Sequence, residues 1–293
     1  MTSKGIIIIA LGHPAYGQMA ANLAASIRVN TPDLPIHLVW ADEALNHLTD
    51  AKKALFHTME ECPYECYHRK DGKRVYIKAK THLYDLTPFE ETIFLDADTI
   101  ICPRKPLSDL WDAFSHLDMT MENRARVNLA EIKPSDTYLW GSIPDIVSTF
   151  KITQGYLYGL HSEFIYWKQN ERMRGFFDTV KDEFENPKMA TVKFDGDMPD
   201  EFAFAIAMLK HNLYPHECPY IPLYWYLTDK RLGTSLEYVI ANHYGYSVGG
   251  NATPDSVQRN YNRLASAYFR KLGMQYPYKV RPKRSYMAQR KVM

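Results

Sequence analysis

Asp96 and Asp98 stand two residues apart in the stretch TIFLDADTII (92–101), with apolar residues on both sides. Two carboxylates at that spacing repel, and burying one of them uncompensated is costly. A hard divalent cation such as Mg2+ or Mn2+ removes the repulsion and keeps free positions for substrate oxygens and water. Such an ion can hold a diphosphate and offset the charge that develops when the diphosphate leaves. The same spacing also suits a strand-end turn in which Asp caps the next element. It recurs at Asp195-Gly196-Asp197, in polar surroundings with no strand ahead of it.

The elements that must position the pair can be read from hydrophobic periodicity. Gly5 to Leu11, Pro35 to Trp40 and Thr92 to Leu95 read as three buried strands. Pro14 to Arg28 carries Met19, Leu23 and Ile27 at helical spacing, and Asp42 to Thr58 reads as a second helix. RKDGKR (69–74) holds an Asp-Gly pair of hairpin type. Lys78 to Leu86 and Leu107 to His116 read as helices, and 123–150 as an irregular, polar loop region. Gly155 to Leu160 is strand-like, Ser162 to Glu185 mostly helical, and Pro199 to His211 a helix with Asp200 and Glu201 in its first turn. Residues 219–227 and 237–244 read as strands. The alternation predicts a parallel, helix-flanked sheet. In such a sheet ligands bind beyond the carboxyl ends of the strands, where Asp96 and Asp98 emerge.

Composition narrows the class. The chain has 293 residues, 46% hydrophobic and 24% charged, the ordinary balance of a globular protein. Four cysteines in this length do not make a disulfide scaffold and favour a reducing compartment. The apolar run Ile6 to Leu11 is too short for a signal-peptide core, and no run approaches the length of a membrane helix. The expected location is cytoplasmic, with attachment to the inner membrane face as a variant. A zinc site from Cys62, Cys66 and His57 or His68 rests on poor spacing. Net charge is +1, yet Ser256 to Met293 holds ten Lys and Arg and no acid, so residues 1–255 carry −9.

Beyond the aspartate pair, three stretches resemble the family-eight glycosyltransferases, the group of glycogenin and the bacterial lipopolysaccharide galactosyltransferases. YGQMAANLAASI, Tyr16 to Ile27, is similar to that family's first helix. Lys80 lies at the family's distance before the metal strand, and ANHYGY (241–246) resembles its late His-aromatic-x-Gly motif. More loosely, TQGYLYG (153–159) sits where the family has Asn-Ser-Gly, and PDEFAF (199–204) where it has Gly-Asp-Gln.

The resemblance implies a GT-A fold, a single Rossmann-like, mostly parallel sheet flanked by helices with a basic C-terminal appendage. It places a nucleotide-sugar-binding catalytic domain at 1–255 and a basic, aromatic extension at 256–293. It implies a metal-dependent transferase, retaining anomeric configuration, that moves a sugar from a UDP-sugar to a glycan or lipid-linked acceptor. Mn2+ or Mg2+ would be held by Asp96, Asp98 and His243. Leu11, His13 and Tyr16 would hold the base, Lys80 the phosphate or sugar oxygens, and Ala97, Gln154, Gly155 and Gly245 would complete the donor site. Asp200 would bind the donor sugar, and Glu201 would lie opposite the leaving group. The chain departs from the pattern with Glu201 for Gln, Thr153 for Asn, and Ser247-Val248-Gly249-Gly250 in place of Lys-Pro-Trp. Lys279 or Arg281 is a candidate substitute for the lost diphosphate contact.

The last 38 residues interleave their charges with Tyr261, Tyr268, Phe269, Tyr276, Tyr278 and Tyr286. Three partners compete for them: an anionic membrane surface, nucleic acid with a modified DNA base as acceptor, or the protein's own body. A non-catalytic sugar- or nucleic-acid-binding protein with a degenerate site is the reading from another class. Oligomeric state is not legible.

Overall fold

The structure, a computed structural model, describes residues 3–193, 196–215, 223–224, 235–248, 255–275 and 277–280. Strand β1 (Lys4–Gly12) is followed by α1 (Pro14–Asn30), β2 (Ile36–Asp42), a short helix α2 (Asp50–Lys53) and β3 (Thr58–Glu61). A 3-10 helix over Tyr76–His82 runs into α3 (Leu83–Leu86), then β4 (Glu91–Leu95), β5 (Thr99–Ile101) and α4 (Ser108–Phe114). β6 (Met119–Asn128), α5 (Ile143–Phe150), β7 (Tyr156–Lys168), α6 (Glu171–Glu185) and α7 (Asp200–His211) come next. β8 (Leu223–Tyr224), α8 (Leu236–Asn242), β9 (Gly245–Ser247) and α9 (Asp255–Lys271) complete the described elements.

Six strands form one sheet in the order β3-β2-β1-β4-β7-β6. The first four run parallel, β7 joins antiparallel to β4, and β6 pairs antiparallel with β7 and so runs with the first four. This is the mostly parallel, helix-flanked sheet that the alternation predicts. Both faces are covered, so the strands are apolar throughout and alternate residues serve opposite cores. Ile6, Ile8 and Ala10 of β1 face a core with α1, α4 and α9. Ile7 and Leu11 face a second core with α6 and α7. α1 runs against the turn after β2 so closely that a Cβ on Gly17 would lie 1.9 Å from the Ala44 carbonyl oxygen. The strand order reverses between β1 and β4, which opens a crevice at their carboxyl ends.

Several elements differ from the sequence reading. The helix expected over 42–58 is a 3-10 turn, the four residues of α2 and then β3. The loop expected over 123–150 contains most of β6 and all of α5. β7 extends through Lys168, so Ser162 to Lys168 is strand and the helix begins at Glu171. The reason is visible in Phe164, Ile165, Tyr166 and Trp167, a β-branched and aromatic run buried on both faces. Residues 237–242 are helical, held by the Ser235 N-cap, whose side chain accepts from the Tyr238 amide. Of the strand expected over 219–227, only Leu223 and Tyr224 lie within the described residues.

The C-terminal segment docks on the body. Val257, Tyr261, Leu264, Ala265, Tyr268 and Phe269 of α9 are buried in the same core as β1 and α1, so the 255/256 boundary falls within one packed unit. The Asn22 amide clamps the Tyr278 backbone from both sides, donating at 2.8 Å and accepting at 3.2 Å. Tyr268 Oη donates to the Ile101 carbonyl at 2.7 Å. Tyr261, Tyr268 and Phe269 are therefore core residues, not rings offered to bases or a membrane. Tyr276, Arg281 and Tyr286 lie outside the described residues. Among the described residues no helix is long and apolar enough to cross a membrane.

Candidate active site

β4 ends at Leu95, and the chain turns tightly, with the Thr99 amide donating to the Asp96 carbonyl at 3.0 Å. Ala97 buries its methyl in the core beside α1, 4% exposed, and so turns the aspartates on either side of it toward the crevice. The Asp96 amide donates to the Glu163 carbonyl at 3.1 Å, which ties the turn to β7. Lys80, on the 3-10 helix, reaches in from the other side and donates to Asp96 Oδ2 at 2.8 Å and Ser162 Oγ at 3.0 Å. Its ammonium is also 4.0 Å from Asp200 Oδ2. Asp200 and Glu201 open α7, and Glu201 Oε1 accepts from the Ser162 amide at 3.4 Å.

Five carboxylates thus share one basin: Asp96, Asp98, Glu163, Asp200 and Glu201. Burial pushes the Asp96 carboxyl up to about 7, helped by Asp98 and Glu163 and opposed by Lys80. Burial and the nearby Glu163 push Asp98 up to about 6. Burial also raises Asp200, and it raises Glu201 well above the ordinary carboxylate range, with Asp200 adding to it. Glu163 goes the other way: burial opposes its charge, but the His161 ring beside it, with Lys80, draws it down to about 2. Burial likewise opposes the charge on Lys80, yet Asp96, Asp200 and Glu163 outweigh it and hold the ammonium well above its usual range. The Oδ2 atom of Asp200 and the Oε2 atom of Glu163 are buried and accept no hydrogen bond among the described residues. Hard oxygen donors in excess of positive charge suit a divalent cation, so Asp96 and Asp98 fit the ion that their spacing suggested.

At the neighbouring carboxyl end of β1, Leu11 is buried, Gly12 turns with φ +75°, and His13 caps α1 by accepting from the Ala15 amide at 3.1 Å. Tyr16 follows, 47% exposed. These residues and the aspartate turn flank the crevice between β1 and β4.

Four expected residues stand apart. β9 pairs antiparallel with β5 so that Ser247 faces Thr99 and Gly245 faces Ile101. The register brings Ser247 Oγ to Asp98 Oδ1 at 3.3 Å and the Val248 amide to the Asp98 carbonyl at 3.2 Å. His243 and Gly245 lie toward the far end of β5, where the Cys102 amide bonds the Tyr244 carbonyl. His243 lies five positions before Val248, about 16 Å of extended chain, so His243 does not close the aspartate site. Gln154 and Gly155 precede β7 at the end remote from Glu163, and the Gly155 carbonyl accepts from Leu129 instead. Along β7 it is His161-Ser162-Glu163 that reaches the aspartate turn.

The second Asp-x-Asp is structural where it is described. Asp197 accepts from Arg69 and Lys73, which draw its carboxyl down to about 2 against the cost of burial. Arg69 also donates to the Phe184 carbonyl at 2.8 Å. The zinc reading also falls away: His57 is engaged by Arg28 and the Ile36 amide, His68 lies against the Tyr64 carbonyl, and no group of three ligands forms at Cys62 and Cys66 among the described residues. What sequence reasoning missed is His161, Ser162, Glu163 and Ser247 in the basin, and Tyr76 at the β1 edge. Tyr76 packs under Gly12 and donates from its hydroxyl to Asp42 Oδ2 at 2.7 Å. Asp42 itself has φ +55°, a left-handed conformation that non-glycine residues seldom adopt.

No family model matches the sequence, and no curated protein sequence matches it. Solved structures do. The chain is similar to the galactosyltransferase LgtC in complex with donor and acceptor sugar analogues, with TM-score 0.55 and 13% identity over 90% of this chain and 95% of that one. An active-site glutamine-to-glutamate mutant of LgtC matches with TM-score 0.54 and 14% identity, over the same shares. Mouse xyloside xylosyltransferase 1 in its apo form matches with TM-score 0.51 and 12% identity, over 86% of this chain and 99% of that one. These likenesses establish the fold as that of GT-A glycosyltransferases.

Proposed function

We propose that the chain is a metal-dependent glycosyltransferase that moves a sugar from a nucleotide sugar, UDP-linked, to a saccharide or lipid-linked acceptor. The observation that carries this reading is the aspartate turn after β4. It opens at the strand-order reversal, beside Lys80 and opposite two acids at a helix N-terminus. Mn2+ or Mg2+ held by Asp96 and Asp98 would offset the charge of a departing diphosphate. Lys80 adds a fixed ammonium at the same edge. Leu11, His13 and Tyr16 line the crevice on the β1 side, where the exposed Tyr16 ring suits stacking on the base. Asp200 and Ser162 present oxygens to sugar hydroxyls.

Glu201 faces the basin from α7 and serves retention of configuration, as a transient nucleophile or as the charge that stabilises an oxocarbenium-like centre.

Hydrolysis of a panel of UDP-, GDP- and TDP-sugars with Mn2+ tests the proposal. Turnover that EDTA and Asp98→Ala both abolish is expected, and turnover undiminished by EDTA would overturn the metal role. Donor hydrolysis without any acceptor excludes a purely binding protein. Arg259, Arg263, Arg270 and Lys271 stay exposed on α9, and an anionic partner, including DNA carrying a modified base, would meet them there.

A further inference from the structure

His161, Glu163 and Glu201 bring one imidazole nitrogen and two carboxylate oxygens within 4.8 Å of one another. His161 and Glu163 stand at i and i+2 on β7, in a stretch where the pairing with β6 jumps from Ile165–Met121 to His161–Glu122. Their ligand atoms converge with that of Glu201, which the first turn of α7 supplies. His161 is 9% exposed, and its Nδ1 lies 3.6 Å from Glu163 Oε2, at ion-pair distance. The Glu163 oxygen is buried and takes no hydrogen bond among the described residues, so it points into the group with capacity to spare.

This donor set differs in kind from the aspartate turn. An imidazole with two carboxylates is a borderline set, and a nitrogen ligand favours ions late in the first transition row. Zinc bonds nitrogen and oxygen at about 2.0–2.2 Å, which sets tetrahedral donors about 3.4 Å apart. Closing from 4.8 Å asks the side chains to draw in by about 1.4 Å, within reach of small χ adjustments. Three protein ligands also leave the fourth position of such an ion open.

We propose that His161, Glu163 and Glu201 form a second cation site, selective for a divalent ion of the zinc class over Mn2+ and Mg2+, and that an ion held there withdraws Glu201 from the transfer reaction. The inhibitory half rests on the glycosyltransferase reading, whereas the binding half stands without it. Two kinds of cation would then have opposite effects, one at the aspartate turn supporting the donor and one on β7 and α7 blocking it.

The test uses the full chain, stripped with EDTA, dialysed, and titrated with Zn2+ against a chromophoric chelator in saturating Mn2+. Wild type is expected to bind one Zn2+ under these conditions. His161→Ala and Glu163→Gln should each weaken that binding by at least tenfold, and circular-dichroism melts check that both variants are folded. Asp98→Asn should lose Mn2+ binding and keep Zn2+ binding. Wild type that takes up no Zn2+ in saturating Mn2+, or His161→Ala that binds it as tightly as wild type, overturns the proposal. A protein that hydrolyses no nucleotide sugar overturns the enzyme reading and leaves the titration interpretable. Where hydrolysis is present, Zn2+ should slow wild type and lose potency by the same factor in His161→Ala. Equal potency in the two overturns the inhibitory half.

Discussion

Lys80 carries a positive charge at the centre of five carboxylates, and its side chain is only 17% exposed. Removing one partner of a buried ion pair leaves the other uncompensated, at a cost of about 3–5 kcal/mol. Lys80→Met should lower the unfolding free energy of the metal-free protein by about that amount in a urea titration. Mn2+ should return part of it. The pH dependence has an unusual sign. Asp96 and Asp98 are raised in the fold, to about 7 and about 6, from the ordinary aspartate value of 3.8. Between pH 4 and 7 the folded state therefore holds more protons than the unfolded one, and stability from these groups falls as pH rises. It is fully present below pH 4 and lost by about pH 7. Glu163, drawn down to about 2, acts in the opposite sense, but its contribution is lost only as pH falls from about 4.5 toward 2. The metal-free melting temperature should thus decline from pH 5 to pH 8, and saturating Mn2+ should flatten or reverse the decline. A melting temperature that rises over that range without metal would show that the pair is not raised.

The elements that carry these residues were unequally legible. β1, α1, β2 and β4 could be read because each is buried along its whole length, so a continuous apolar run or a clean helical stripe survives in sequence. β6 could not, since Glu122 and Arg124 are charged residues buried as an ion pair and Ala125 and Arg126 are exposed, leaving polar text that resembles a loop. The aspartate turn and Lys80 were legible because strand and 3-10 helix reach the site within one short stretch of chain. His161 and Glu163 were not, because β7 is 13 residues long and only its pairing with β4 shows which segment meets the turn. For the same reason His243 was misplaced: a short motif fixes residue types, while the antiparallel register of β5 and β9 fixes who faces Asp98. The approach to α7 has its own anchor. Arg69 and Asp197 are 14% and 12% exposed and join the 69–74 hairpin to the segment just before Asp200. Arg69→Ala should cost about 3 kcal/mol of stability. It should also raise the KM for donor more than it lowers kcat, because Asp200 and Glu201 lose their support while keeping their chemistry. Kinetics that match wild type would separate the anchor from the site.

Across the whole molecule, α9 closes one of the two cores. Its Tyr261 is fully buried against the body, and the hydroxyl lies 3.4 Å from the Asn22 amide nitrogen. Replacing a buried aromatic with Ala costs about 3–5 kcal/mol. Tyr261→Ala should lower the urea midpoint accordingly, whereas Arg263→Gln, on the exposed side, should leave it unchanged. If the segment were an independent tail, both substitutions would be silent in unfolding.

The clamp between Asn22 and Tyr278 joins residues 256 positions apart. A ribosome adds about 5–20 residues each second and delivers them in order. For many seconds, then, α1 and the outer edge of β5 emerge with their apolar faces uncovered, waiting for a lid that has not been translated. A nascent chain halted near residue 250 should bind a hydrophobic-peptide chaperone that lets go once residue 280 clears the exit tunnel. The order of synthesis makes the earliest helix the last to be sealed.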